Sequence, residues 1–554
     1  MQPRLLLGLL LLAGAAVASE TPRLAVVITV DQMRSDYLER FRPYFGEGGF
    51  KRMLEGGADY RNCYYRHAIT KTAAGHATIL SGMHAEVHGI IANEWADRTT
   101  FEWSNAVEDK ESPLVGLPPR AGRYANAVFA AKAGRSPRNF LGTTVGDWLK
   151  ARYGADAKAI GIADKDRSAI LPVGHRPDGV YWTEEGIFVT STYYRKELPA
   201  WVREFNAKHN ATVYAGRTWD RLRDREIYDR VQGADDAAGE EESSGLPRTM
   251  PKTLGSPSDS RGGSFYGAFD RTPWNNDLVA MLAEQALESE QLGRDEVPDL
   301  LAIGFSQPDA AGHAYGPDSH EIMDTYLRLD QTLAALFTRL DAHVGAGRWV
   351  AVLTADHGIP PLPERVEAEK GSGSGGRISG GALDQHVVAA LDAAFGPLEE
   401  PLFWVLRDNS GYHLNRKAIA AKKLTEERVA DEVAAALRSH PQLAATYTRA
   451  QLTGTGPLDE WGEMMRRSFF PARSPDVLFI EKPFFQIRTK GTTHGTPHDY
   501  DTHVPQLWYG AGVTPGEHLE RVGVDDLAPT LAGLLGVEPA PEAKGRRLFQ
   551  GGSN

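Results

Sequence analysis

The sequence predicts an α/β fold: a doubly wound, mostly parallel sheet flanked by helices, with smaller α+β segments inserted. Three short apolar runs carry the prediction, at 24–30, 300–305 and 349–353. Each has the length of a strand, and an apolar run without polar alternation suits a strand buried on both faces. Each is followed closely by carboxylates or imidazoles: Asp31, then Asp309 and His313, then Asp356 and His357. Open α/β sheets bind ligands beyond the carboxyl ends of their strands. The runs that predict the fold therefore also predict where its site lies.

Taken in chain order, residues 1–18 read as a signal peptide. Arg4 gives the positive start, 5–18 is an apolar stretch too short to span a bilayer comfortably, and Ala16-Val17-Ala18 fits a small-residue cleavage site before Ser19. No cysteine follows that would accept a lipid. No later apolar run reaches the roughly 18 residues a membrane span needs. The expectation is a mature chain without membrane anchor, periplasmic or secreted, forming one catalytic domain over 19–554.

The run 24–30 is the first strand. Residues 73–83 suit a helix, with Thr72 near its start. Residues 159–163 read as a strand that delivers Asp164-Lys165-Asp166-Arg167. Residues 231–263, rich in Gly, Ser, Pro, Asp and Glu, read as an exposed, mobile loop. Tyr326, Leu329, Leu333, Leu336, Phe337 and Leu340 recur at helical spacing and mark a helix face packed in the core. A second exposed, mobile loop is expected at 369–382; its Gly-Ser run lacks the Lys-Ser/Thr that completes a phosphate loop. Residues 402–480 read as an α+β insertion, with strands at 403–406, 445–448 and 477–480 and an amphipathic helix at 425–438. A late strand at 504–509 returns to the main sheet, and alternating strands and helices imply the parallel, doubly wound arrangement.

Composition excludes some functions. A net charge of −12 argues against sequence-independent nucleic-acid binding. Cys63 is the single cysteine, so no intramolecular disulfide forms, and without an activating neighbour it reads as a packed thiol. The chain's oligomeric state is not legible.

Asp31, Asp309, His313, Asp356, His357 and His494 are of residue types that bind zinc, and they divide into two sets of three. Paired catalytic ions stabilise the attacking and leaving oxygens of an in-line displacement together, which points to phosphoryl transfer. A nucleophile is available in Thr72, at a helix start where backbone N–H groups favour an anion. Read locally, Thr72 is better taken as a plain helix cap, and Thr70 is its nearest competitor as nucleophile. Lys165 and Arg167 would point the same way if their segment is extended, and an Arg fork beside a Lys suits phosphoryl oxygens. Their plainer reading is two solvated charges. Asn93 offers an amide donor or a turn residue.

These segments together resemble the alkaline phosphatase superfamily, in particular its bacterial branch with a threonine nucleophile, related to type I phosphodiesterases and nucleotide pyrophosphatases. The matching segments are Val-Asp-Gln (30–32), Thr-Ala-Ala-Gly-His-Ala-Thr (72–78), His-Gly-Ile-Ile-Ala-Asn-Glu-Trp (88–95) and Lys-Asp-Arg-Ser-Ala-Ile (165–170). They continue with Asp-Ala-Ala-Gly-His (309–313), Ala-Asp-His-Gly (355–358) and Thr-His-Gly-Thr-Pro (493–497). Singly they are weak; in this order they are specific.

The resemblance implies two zinc ions. Asp309, His313 and His494 would hold the one facing the leaving group. Asp31, Asp356 and His357 would hold the one that also binds the Thr72 oxygen. Thr72 would form a phosphothreonine, while Asn93, Lys165 and Arg167 hold the non-bridging oxygens. His498 and His503 lie near His494, but the family pattern favours His494, and His498 stands where an aromatic is common.

The pair Lys165/Arg167 favours a dianionic monoester over a monoanionic diester, and the diesterase relatives generally lack it. The expectation is a phosphomonoesterase acting on small phosphate esters with some diesterase activity. A type I phosphodiesterase is the nearest alternative, and a non-catalytic zinc-binding protein is the alternative of another class. A sulfatase is excluded because Thr72-Ala73-Ala74-Gly75-His76 stands where that reading needs Cys-x-Pro-x-Arg. The export signal and the threonine nucleophile disfavour a phosphomutase.

Overall fold

The computed structural model describes residues 21–117, 134–258, 265–408 and 411–549. The signal segment 1–18 lies outside the described residues, as does 259–263 of the expected loop. Among those described, the main sheet has eleven strands. At its centre lies β1 (Leu24–Val30). The strands used below are β2 (Ala159–Ala163), β3 (Asp299–Phe305), β4 (Trp349–Thr354) and β5 (Gln506–Gly510).

β1 runs parallel to β3 on one side and to β4 on the other, and β3 runs parallel to β2. Every residue of these four strands is buried, which is why their apolar runs carry no alternation. The register pairs Val30 with Phe305, Thr29 with Thr354 and Gly304 with Ala163. The four carboxyl ends are thus level, and they place Asp31, Asp164, Ser306 and Ala355 along one rim. Away from this centre the sheet is mixed, and the edge pair of Ala58–Tyr64 with Gly516–Gly523 is again parallel. β5 pairs antiparallel with β4. Pro505 splits the expected strand 504–509, because a proline cannot donate to a ladder; His503–Val504 pairs instead with the strand Ala58–Tyr64.

Four helices matter for the site: α1 (Thr72–Ile79), α2 (Asp166–Ile170), α3 (Gln307–Tyr315) and α4 (His320–His343). The apolar stripe from Tyr326 to Leu340 lies buried on α4, as its spacing predicts. α1 is buried at all its positions and ends before the expected residue 83. Its chain turns at Gly82, whose φ of 64° and N–H bond to the Thr78 carbonyl close the helix.

Two expected loops differ. In 231–258 positions such as Asp236 and Glu242 are exposed, but the side chains of Gln232, Asp235, Glu240 and Lys252 are buried, and Lys252 Nζ lies 2.9 Å from Glu321 Oε1, so the segment is anchored in the fold. In 369–382 only a short turn is irregular: helix Pro363–Lys370 precedes it, and helix Gly380–Phe395 starts where Ser379 caps Ala382.

The smaller layer is a four-stranded antiparallel sheet in the order Val405–Asp408, Gly411–Leu414, Val477–Glu481 and Leu443–Thr448. Helices Gly380–Phe395 and Glu426–Ser439 pack on it. Its core includes Ile378, Leu383, Val387 and Leu391, so the layer begins before residue 402. The buried Asp476 carboxylate gathers two arginines of its own layer, Arg416 at 3.0 Å and Arg449 at 3.1 Å, and one from outside it, Arg98 at 2.5 Å.

Candidate active site

The rim of the sheet gathers the candidate ligands. Asp31 extends β1, and its N–H donates to the Phe305 carbonyl. Asp309 lies in the first turn of α3 with His313 one turn later, so i,i+4 spacing puts both on one face. Asp356 and His357 follow β4, and His494 arrives from the loop before β5. Two groups bring ligand atoms within 4.8 Å of one another: Asp309 with His357 and His494, and Asp31 with Asp356 and His357. His357 belongs to both. His313 stands beside the first group, its Nε2 3.1 Å from Asp309 Oδ1. The His357 and His494 rings stack with centroids 3.4 Å apart.

The imidazoles share one orientation. Nδ1 of His313 faces the Thr492 carbonyl at 2.7 Å, Nδ1 of His494 the Thr70 carbonyl at 2.7 Å, and Nδ1 of His357 the Gly358 carbonyl at 2.9 Å. A carbonyl only accepts, so Nδ1 carries the proton and each Nε2 keeps a lone pair aimed into the cluster. Burial holds His494 well below the ordinary imidazole range and lowers His357 to about 3, so both rings are neutral.

The carboxylates are crowded. Burial, and then the neighbouring Asp309, push Asp31 up; burial, and then Asp31, push Asp356 far up. Burial works against the charge on Asp309 too, but His313 and Lys165 outweigh it and hold that carboxyl well below its usual range. Asp31 Oδ1 and Asp356 Oδ2 are buried with no hydrogen-bond partner. Orphaned carboxylate oxygens facing imidazole lone pairs fit divalent cations, and aspartate and histidine together are a zinc donor set.

Thr72 opens α1, but the cap position belongs to Lys71, whose backbone is extended. The plain-cap reading of Thr72 is therefore corrected. Its buried hydroxyl lies 3.5 Å from His357 Nε2. Thr70 is turned to structure, its hydroxyl donating to the Thr496 carbonyl at 2.9 Å. Gly75 lets α1 approach the ligand turn closely: a Cβ there would overlap the Asp356 backbone. Asn93 Oδ1 accepts from the Ala73 N–H at 2.8 Å, which pins the carboxamide and leaves its NH₂ as a donor beside Thr72.

Lys165 meets the candidate ligands, while Arg167 lies beside Asp166, and neither does so by the alternation the sequence suggests. Lys165 is extended, but Asp166–Ile170 is helical, so strand alternation does not align the pair. Lys165 Nζ lies 2.7 Å from Asp31 Oδ2 and 2.6 Å from Asp309 Oδ2, touching one carboxylate of each ligand set. Burial opposes that charge, yet Asp309 and Asp31 raise the lysine above its ordinary range. Arg167 has Nη1 3.7 Å from Asp166 Oδ1, while its buried Nε has no partner. His498 turns away, with Nε2 2.9 Å from the Glu481 carbonyl, and His503 Nε2 faces the Arg61 carbonyl.

Two residues beside the site escape the sequence reading. His76 lies four positions after Thr72 on α1, its Nε2 3.6 Å from Asp356 Oδ2. Gln32 donates to Asp309 and Asp356. Both stand inside the quoted motifs, and the i,i+4 spacing of Thr72 and His76 is the signal that places the latter.

The sequence pattern of the type I phosphodiesterase / nucleotide pyrophosphatase family matches residues 25–504. Alkaline phosphatase PafA of Elizabethkingia meningoseptica is 32% identical over 98% of this chain and 98% of its own. A calcium-transporting ATPase of Myroides odoratus is 32% identical over 94% of this chain and 92% of its own. Alkaline phosphatase PhoV of Synechococcus elongatus is 31% identical over 93% and 90%. The crystal structure of wild-type PafA superposes with a TM-score of 0.87 over 96% of this chain and 99% of that one.

Proposed function

This chain belongs to the type I phosphodiesterase/nucleotide pyrophosphatase family, matches alkaline phosphatases nearly end to end, and we propose that it is an exported, zinc-dependent alkaline phosphatase hydrolysing phosphate monoesters through a phosphothreonine. One observation carries the reading: two buried groups of carboxylates and imidazoles share His357, whose Nε2 lies 3.5 Å from the Thr72 hydroxyl. Asp309, His313 and His494 are the proposed ligands of one zinc, and Asp31, Asp356 and His357 of the other. Zinc at these positions supplies Lewis acidity, lowering hydroxyl and water pKa values and offsetting charge on the attacking and leaving oxygens.

The chain's own groups do the rest. Thr72 Oγ is the nucleophile: it forms a bond to phosphorus in line as the ester oxygen departs, and water later returns the phosphoryl group to solution. The first turn of α1 favours the anionic phosphoryl group through its N–H groups and dipole. Asn93 donates its NH₂ to one non-bridging oxygen, held in aim by the bond to Ala73. Lys165 and Arg167 supply positive charge for a dianion, which favours the monoester. Export rests on the pattern at 1–18; among the described residues no helix is long and apolar enough to cross a membrane.

Thr72→Ala is expected to abolish turnover while zinc uptake persists, and Thr72→Ser to restore part of it. Acid quenching of the wild type during turnover, followed by mass spectrometry, should find one phosphoryl group on the Thr72 peptide. Phosphate release by Thr72→Ala near the wild-type rate contradicts the assignment.

A second reading has its own support. Lys165 already touches two ligand carboxylates, so part of its charge is met before substrate arrives. That favours a diesterase component in the same site.

A further inference from the structure

Gln32 follows Asp31 directly, and its φ is 68°, in the left-handed region that residues other than glycine seldom adopt. Such a backbone persists only where its surroundings over-determine it, commonly at functional sites. Here the surroundings are explicit. The Gln32 N–H donates to Asp356 Oδ1 at 3.1 Å, and Nε2 donates to Asp309 Oδ1 at 2.6 Å. The carboxamide lies across Gly312 of α3: a Cβ on Gly312 would overlap Gln32 Oε1, and the three nearest atoms to it all belong to Gln32. The residue is 2% exposed.

Gln32 therefore touches both ligand sets at once. It is joined covalently to Asp31, through its backbone to Asp356, and through its side chain to Asp309. We infer that Gln32 is a positioning residue that fixes the spacing of the two cation sites, and that residue 312 is glycine because the Gln32 carboxamide fills the space of a side chain. The inference rests on Asp309 and Asp356 being ligands. A donor on one carboxylate oxygen sets the rotation of that carboxylate. One residue past Asp31 at the end of β1, the Gln32 N–H donates to Asp356 and not to a ladder partner, while the left-handed φ turns the chain that follows. A glycine would accept the turn without strain but would bring no amide to Asp309.

The test compares wild type, Gln32→Gly, Gly312→Ala and the double variant. Zinc affinity is read by competition with a chromophoric chelator, and the thermal midpoint is read on the zinc-free proteins. Removing an outer-sphere partner of this kind weakens metal binding by about 10–100-fold, and that loss is expected for Gln32→Gly, with a zinc-free midpoint no lower than wild type. Gly312→Ala should lose at least as much, because its methyl displaces the carboxamide. The double variant should lose no more than Gln32→Gly alone, since the methyl then meets empty space. Gln32→Glu keeps the length and removes the donor, and it too should bind zinc more weakly. Wild-type zinc affinity in Gln32→Gly or Gln32→Glu, or additive losses in the double variant, overturns the role of Gln32 while the ligand assignment stands. A wild-type chain that takes up no zinc overturns both.

Discussion

Thr72 owes its availability to its neighbour. Lys71 supplies the extended cap residue, so the Thr72 hydroxyl has no capping bond to make and faces His357 instead. Under the proposed function, substrate class turns on Lys165 and Arg167. Replacing both by alanine should lower kcat/KM for a monoester about 10²-fold or more, the scale seen when a transition-state donor is lost, with a much smaller effect on a diester. Equal losses on both would remove the charge argument. At this scale the candidate ligands stood out because acids and imidazoles after apolar runs are unusual. Gln32 did not, since its role comes from a backbone angle and from contacts to residues 277 and 324 positions away. Nor did the helical turn that follows Lys165 at Asp166, because so short a helix has no periodicity to detect.

Among the elements, the four central strands were readable because burial on both faces leaves them no polar positions. β5 was readable as a strand but not as an antiparallel one, since direction leaves no mark on an apolar run. Helix Gly380–Phe395 hides behind a Gly-Ser stretch, although Ser379 as cap and Leu383, Val387 and Leu391 at four-residue spacing announce it. The segment 231–258 misled because its polar residues are buried in pairs. Within it, burial and then the Glu321 carboxylate push the Glu240 carboxyl up to about 9, and Glu240 Oε2 has no hydrogen-bond partner. A carboxyl so raised keeps its proton in the fold while the unfolded chain loses it near 4.5. The folded state then binds more protons between those values, and stability falls as pH rises through that window. Glu240→Gln should remove the effect. Its thermal midpoint should exceed wild type by about 2 °C or more near pH 9 and match it below pH 4.5. A midpoint below wild type near pH 9 would show that the carboxyl is not held neutral there.

For the whole molecule, the main sheet delivers the candidate ligands and the smaller layer braces the loop that carries Asn93. Asp476 holds Arg98, just after the strand that follows Asn93. Arg473 of the smaller layer donates to the Gly89 carbonyl at 2.5 Å and the Asn139 carbonyl at 2.7 Å. The division into layers was legible in outline from composition, but this bracing depends on long-range arginine contacts that no local pattern contains. The central claim is a two-cation phosphatase with a positive clamp, and it meets its most direct test in kcat/KM of the zinc-loaded mature chain on matched aryl phosphate monoester and diester, with and without chelator. The account predicts a preference for the monoester that the chelator abolishes and zinc restores. A preference for the diester, or monoester turnover indifferent to the chelator, would contradict it.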